Sequence, residues 1–179
     1  MMTAQAHQFT MTIPVLRTER LVLRAPRLSD FDAWADYFAS PRSVHEGGPK
    51  DRLSAWRHWA ADVALWTLRG YGPFGVDDRK TGQHLGEVGI YHGEGYPAPE
   101  LGWFVRPEAE GRGVALEAAR AVLAWVKSSF NWPHITNIID PANRRSIALG
   151  LRLGGTIDAT LPGIDPGDVV IRHDLRGAP

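Results

Sequence analysis

Cysteine is absent from this chain of 179 residues. Disulfides, thiolate metal sites and a covalent cysteine nucleophile are therefore excluded. An excess of either charge is absent too: Lys and Arg total 20, Asp and Glu total 20, and the formal net charge is zero. Without a basic surplus there is no broad electrostatic reason to coat nucleic acid or an anionic membrane, so neither is expected as a partner; only a local basic pocket stays open. No stretch approaches the ~18 apolar residues of a membrane span. Met1–Thr12 lacks a basic start followed by an apolar run, so it does not read as a secretion signal, and a cytoplasmic location is the expectation. The seven histidines are scattered, and the pairs His84 with His92 and His45 with His58 show no metal-ligand spacing, so no metal is expected.

What is present is ordinary for a globular protein: 44% apolar and 22% charged residues, in a length suited to one core. Residues 1–12 read as a flexible polar tail and residues 13–179 as a single domain. Leu21-Val22-Leu23 reads as a first strand. Ser29 is placed to cap a helix whose apolar face carries Phe31, Trp34, Ala35 and Phe38, spaced i, i+3, i+4, i+7. A second helix over 51–69 puts Leu53, Trp56, Ala60 and Val63 on one face, with Trp59 and Trp66 partly off it, and Gly70 ends it. Runs 74–77, 85–91 and 101–105 follow as strands, joined by the hairpin link Asp78-Arg79-Lys80-Thr81-Gly82 and a longer link over 93–99. The clearest helix carries Ala115, Ala118, Ala119, Val122, Trp125 and Val126. A strand over 135–139, a last helix capped by Asn143 with Ile147, Leu151 and Leu153, and a strand over 169–171 complete the order. A mixed α/β (α+β) fold is predicted, with a mostly antiparallel sheet of about six or seven strands and about four helices on its faces. The strand–helix–strand unit over 101–139 is long enough for a parallel crossover.

The segment that carries chemistry is Glu110-Gly111-Arg112-Gly113-Val114-Ala115, between a strand and a helix. Two glycines there let successive backbone N–H groups point at one anion, and the helix start adds its positive end. Arg112 can add a charged contact. The same pattern also serves as a plain tight connection. It is neither a P-loop, lacking Gly-Lys-Ser/Thr, nor a full dinucleotide loop, since Leu116 occupies the third glycine's place.

Val105-Arg106-Pro107, followed by Gly111-Arg112-Gly113-Val114-Ala115 and Glu117-Ala118, resembles the acetyl-CoA motif Q/R-x-x-G-x-G/A of the GNAT superfamily of N-acetyltransferases. Glu110 departs from it, standing where Gln or Arg is usual. Thr18-Glu19-Arg20-Leu21 resembles the opening strand of the RimJ/RimL-like branch. Asp140-Pro141-x-Asn143-x-x-Ser146-x-x-x-Gly150-Leu151 resembles its final helix. The resemblance runs from about Leu16 to Leu175.

The resemblance implies direct transfer of an acetyl group from acetyl-CoA to an amine, either a peptide N-terminus or a small molecule. The donor would be held by Val105, Gly111, Arg112, Gly113, Val114, Ala115 and Asn143, beside a splay or bulge near Val105 that frees backbone N–H groups. Ser146 would protonate the departing thiolate. Glu100 is the first candidate base and Glu87 the second, with His92 behind them; each also reads as an ordinary surface or salt-bridged residue. Asn143 reads equally as a helix cap. Trp34, Trp56 and Trp59 are candidates to wall the acceptor cleft. A CoA-binding regulatory module without catalysis is the competing class, with Glu110 as its support. A homodimer is left open.

Overall fold

The computed structural model describes residues 10–176. Of the tail expected over 1–12, only Thr10, Met11 and Thr12 fall within it, exposed and without regular structure. The elements are β1 (Leu16–Arg17), β2 (Leu21–Arg24), α1 (Phe31–Ala39), α2 (Arg52–Arg69), β3 (Pro73–Asp78), β4 (His84–Tyr91), β5 (Glu100–Val105), α3 (Val114–Ser129), β6 (His134–Ile139), α4 (Arg144–Arg152), β7 (Thr156–Ile157) and β8 (Val169–Asp174). Short 3₁₀ segments span Leu28–Asp30, Pro41–Glu46 and Pro107–Ala109.

The strands form one sheet in the order β1-β2-β3-β4-β5-β6-β8-β7. Every pairing is antiparallel except β5 with β6, which α3 joins as a crossover. The count of eight exceeds the six or seven expected because β1 and β7 are two-residue edge strands, too short to show a period.

Side-chain alternation sorts the sheet into two faces. Leu21, Phe74, Val88, Leu101 and Ile135 share a core with α3, whose Ala118, Ala119, Val122 and Val126 are fully buried. The two alanines let the helix lie close to the strands. Phe104 belongs to the second core, with Phe31, Trp34, Phe38 and Trp59 of α1 and α2.

Three expectations are corrected. Leu53 and Trp56 of α2 are exposed, while Ala55, Trp59, Leu65 and Trp66 are buried. The tryptophans go inside because their N–H groups find acceptors: Trp59 donates to Glu87 and Trp66 to the Pro73 carbonyl. Ser29 caps nothing. It sits inside the 3₁₀ turn, and Asp30 Oδ2 accepts the Arg27 N–H instead. In α4 Leu151 is exposed, and Gly150 is its buried residue.

Asp30 is drawn into a buried ionic knot. Arg24 is 6% exposed and donates to Asp30 at 2.5 and 2.9 Å and to Asp77 at 2.7 and 2.7 Å. It ties β2 to β3 and to the turn that starts α1. Removing the guanidinium strands two carboxylates away from water. Arg24→Ala is therefore expected to cost about 3–5 kcal/mol. A urea midpoint within error of wild type would show the knot to be energetically idle.

Candidate active site

The site begins where two neighbouring strands stop pairing. β5 and β6 share one parallel register pair, Glu100 with Thr136. Beyond it the Asn137 side chain, not a main-chain N–H, bonds the Leu101 carbonyl. Asn137 Oδ1 in turn accepts from His173 Nε2 at 2.7 Å, which assigns the proton to that nitrogen. The expected splay is present, and β4 and β5 pair in unbroken register from Tyr91–Glu100 to Gly86–Val105; the sheet's irregularity is in the β3–β4 pairing, where Leu85 is skipped beside the Gly86 that pairs with Val105. The carbonyls of Pro99, Leu101 and Val105 point toward the opening, where they meet Thr136 N, Asn137 Nδ2 and Arg42. By alternation the N–H groups of Trp103 and Val105 face the same way.

On one side of the opening lies a groove of about 450 Å³. Its walls include Val105, Gly111, Gly113, Val114, Ala115, Asn143 and Ser146. Gly111 and Gly113 have φ of 70° and 76°, the left-handed region that favours glycine. Gly113 caps α3 without a side-chain bond, and the first intrahelical bond is Glu117 N to Gly113 O. The N–H groups of Val114, Ala115 and Leu116 are thus left without intrahelical acceptors beside the groove. That arrangement fits an oxyanion such as a diphosphate.

Arg112 does not belong to the groove wall. Its side chain is exposed, and its charge is felt by Asp78 on the β3–β4 link. Arg42, Arg145 and Arg152 supply the cations instead. Arg42 pairs with Glu110, lies over the Tyr37 ring at 5.2 Å and donates to the Val105 carbonyl at 3.3 Å. Arg145 meets the other Glu110 oxygen at 2.9 Å. The departure at Glu110 therefore has a structural use, since its carboxylate gathers two arginines at the glycine loop.

On the other side lies a cavity of about 700 Å³ between α1, α2, the loop over 93–99 and the segment over 164–168. His45, Glu46, Glu100, Trp103 and Ile138 line both this cavity and the splay. Burial pushes the Glu100 carboxyl up to about 8; the Ile138 N–H opposes the shift, and the charges of Asp168 and Glu46 add to it. Glu46 is also held above the usual range by burial, opposed by its bond from the Tyr37 hydroxyl. Asn143 serves both readings: Oδ1 accepts the Ser146 N–H at 3.2 Å as a helix cap, and Nδ2 reaches Glu46 at 3.4 Å. Ser146 lines the groove and the splay, and its Oγ makes no hydrogen bond to another described residue.

Glu87 is 1% exposed and lines neither space; Trp59 and Tyr91 hold it beneath the cavity. His92 is bound by the Tyr71 hydroxyl, off the site. Of the three candidate wall tryptophans only Trp34 faces the cavity, joined by Trp103. Sequence reading missed Arg42, Glu46 and the pair His45–Asp140, whose Nδ1 and Oδ2 are 2.7 Å apart. His45 and Asp140 are separated by 95 residues, and no local pattern couples them. Among the described residues no group of three or more His, Cys, Asp or Glu could hold a metal ion, and no helix is long and apolar enough to cross a membrane.

Known proteins share this architecture. Residues 20–156 match the acetyltransferase (GNAT) domain family. A Bacillus subtilis (strain 168) protein, the uncharacterized YkkB, is 31% identical over 118 residues, which cover 62% of this chain and 66% of that protein. The crystal structure of an acetyltransferase from Agrobacterium tumefaciens str. C58 is 42% identical, with a TM-score of 0.87 over 94% of this chain and 99% of that one. RimL, a ribosomal L7/L12 alpha-N-protein acetyltransferase in complex with coenzyme A, is 16% identical, with a TM-score of 0.71 over 90% and 98% of the two chains, a likeness of fold. With its glycine loop, uncapped helix start and parted strands in place, the chain belongs to the GNAT acetyltransferases, enzymes whose fold uses acetyl-CoA.

Proposed function

We propose that this protein transfers an acetyl group from acetyl-CoA directly to a primary amine. The observation that carries the reading is the joining of two spaces through the splay, an arginine-lined groove at the start of α3 and an acceptor cavity behind Glu100. The diphosphate would sit on the Val114, Ala115 and Leu116 N–H groups, with Arg42 and Arg145 beside it. The thioester would lie along β5, where the N–H groups of Trp103 and Val105 face the growing negative charge of its oxygen.

The amine nitrogen attacks the thioester carbon, and the carbon–sulfur bond breaks as the amide forms. One amine proton leaves to Glu100, directly or through water, and Ser146 hands its hydroxyl proton to the departing thiolate; solvent then returns a proton to Ser146 and takes one from Glu100. An α-amine near ~8 is partly neutral at pH 7, whereas an alkylamine near ~10.4 needs a base. The missing cysteines leave no thiol to take the acetyl group first, which favours direct transfer.

The reading is tested by thiol release from acetyl-CoA with a panel of amines, beside thermal melting. Acetyl-CoA at a hundred times its dissociation constant is expected to stabilise the fold by about 2.7 kcal/mol. Gly113→Val is expected to abolish most of that shift; since a branched residue resists φ near 76°, the ligand-free protein should also lose about 1–3 kcal/mol, and the missing ligand shift is read against that lowered melt. No shift with any acyl-CoA at millimolar concentration would remove the reading.

Ser146→Ala is expected to lower turnover by about 10²–10⁴-fold where proton transfer limits the rate. Acetyl-CoA affinity should stay within a few fold, and equal turnover in both proteins would leave Ser146 a purely structural role.

For Glu100 the sign follows from its raised value. As a base it works ionised, so kcat/KM should rise as pH climbs through about 8. The fold favours its protonated form, so that contribution to stability is complete below the usual carboxylate range and lost as pH rises through about 8. Glu100→Gln is expected to remove this limb, to slow an alkylamine more than an α-amine, and to melt above wild type in alkaline buffer. Unchanged pH–rate profiles with both amines would point to His45 or solvent as the base.

A further inference from the structure

The acceptor cavity is lined by the carboxyl groups of Glu46, Asp62, Glu100, Asp140, Asp165 and Asp168, against a single lysine, Lys50. Some of these are already committed. Asp140 is paired with His45, Glu46 is bonded by Tyr37 and Asn143, and Asp168 Oδ2 accepts the N–H groups of Ile164 and Asp165. Lys50 is turned to the Gly47 carbonyl and lies over Phe38.

Two groups stand apart. Asp62 keeps only 17% of its side-chain surface, yet its nearest cationic candidate is His58 Nε2 at 3.6 Å. Burial, with Lys50 adding to it, lowers His58 to about 4, so the imidazole is neutral at pH 7 and gives Asp62 no countercharge. Asp165 is exposed at the cavity's edge, and its carboxylate makes no bond to another described residue, so it is open to a ligand's cation. Burial holds the Asp62 carboxyl well above the usual carboxylate range, toward its neutral form, and a ligand that brings a cation would let it ionise and pair.

The residues also divide along the cavity. Glu46 and Glu100 line both the cavity and the splay, whereas Asp62, Asp165 and Asp168 line the cavity alone. The cavity is also lined by the aromatic side chains of Trp34, Tyr91, Tyr96 and Trp103, whose faces suit methylene groups and cations alike. The carboxylates sense one another across this space: the charges of Glu87 and Glu100 raise Asp62, and those of Glu100 and Asp62 raise Tyr96, in each case after burial.

We propose that the acceptor is an aliphatic diamine or polyamine, with its reacting amine at the Glu46–Glu100 mouth and a second ammonium at Asp62 or Asp165. A peptide N-terminus fits less well. It brings one ammonium only, and its neutral amides supply no second cation for Asp62 or Asp165. An acceptor with its own carboxylate would meet like charge. The inference rests on the acetyl-transfer reading above and narrows its substrate.

The test compares 1,4-diaminobutane, spermidine, butylamine and a serine-initiated peptide as acceptors for the full chain with acetyl-CoA. A charge-assisted hydrogen bond is worth ~10–100-fold in affinity. The diamines are therefore expected to exceed butylamine by about that factor in kcat/KM, and by more at low salt than at high. Asp62→Asn and Asp165→Asn are read by the diamine-to-butylamine ratio, which should fall toward one when they are combined. Acetyl-CoA binding measured on the same variants should match wild type, which certifies that they are folded. Butylamine or the peptide matching the diamines, or a ratio untouched by both substitutions, would overturn the proposal and leave acetyl transfer standing. Failure of every amine, with no binding of acetyl-CoA, would remove both.

Discussion

Everything in the site depends on one substitution of a side chain for a backbone. A parallel strand pair normally continues its ladder; here β5 and β6 pair at Glu100–Thr136, and then the Asn137 amide takes the Leu101 carbonyl. An open ladder inside a sheet leaves buried polar groups without partners, each costing on the order of 1–3 kcal/mol. Asn137 satisfies one carbonyl while holding the strands apart, and His173 fixes which way the amide points. Burial keeps His173 below its ordinary pKa, so its other nitrogen carries no second proton at neutral pH. Gly150 completes the arrangement from α4. A Cβ there would stand 2.7 Å from Ile171 Cδ1 and 2.9 Å from Asn137 Oδ1, so only glycine lets the helix close over the network. Its role is space, since its φ is ordinary.

The gap then separates charge. The chain as a whole is neutral, but arginines gather on the α3 side of the splay and carboxylates on the α2 side. Glu110 and Lys50 lie on the opposite sides, each bonded within the protein, and Glu46 lines both spaces. Opposite potentials meeting at one opening suit a reaction that joins a polyanionic donor to a cationic acceptor, since each partner is drawn to its own side and repelled from the other. Overall composition cannot express such a division, because it sums over both spaces.

Much of the frame was legible because it is periodic or punctuated. The six longer strands, α3 with its alanine face, the Asp78 link and the Asn143 cap all announce themselves locally. The glycine loop was legible for the same reason. What stayed hidden depended on partners distant in sequence. Ser29 looked like a cap because the Arg24 knot that takes Asp30 involves Asp77, 53 residues away from Arg24. The face of α2 was misread because the inward row, Ala55, Trp59, Asp62 and Trp66, is itself at helical spacing but includes an acid, and its choice is set by the Glu87 carboxylate on β4 that takes the Trp59 N–H. Arg112 looked like the loop's cation, yet its side chain lies outside the groove, and Arg20 bonds the Arg112 carbonyl and Glu117 and so clamps the loop from outside. Thr18 and Arg20, matched as a strand motif, thus hold the start of α3 in place.

Glu100 and Glu87 show why a shifted carboxyl does not by itself identify a base. Both lie on the sheet, and burial raises both, Glu87 to about 7 and Glu100 to about 8. By titration alone Glu87 would be the better base at neutral pH. Its oxygens, however, are held by Trp59 and Tyr91 beneath the aromatic floor, with no open path to an amine. Glu100 gives one oxygen to Ile138 N and faces the cavity. The strand period separates them: Glu87 pairs with Phe104, which α1 and α2 cover, whereas Glu100 sits at the one register pair after which β5 and β6 part. Access, set by where the sheet opens, decides between two carboxyls that burial has made alike.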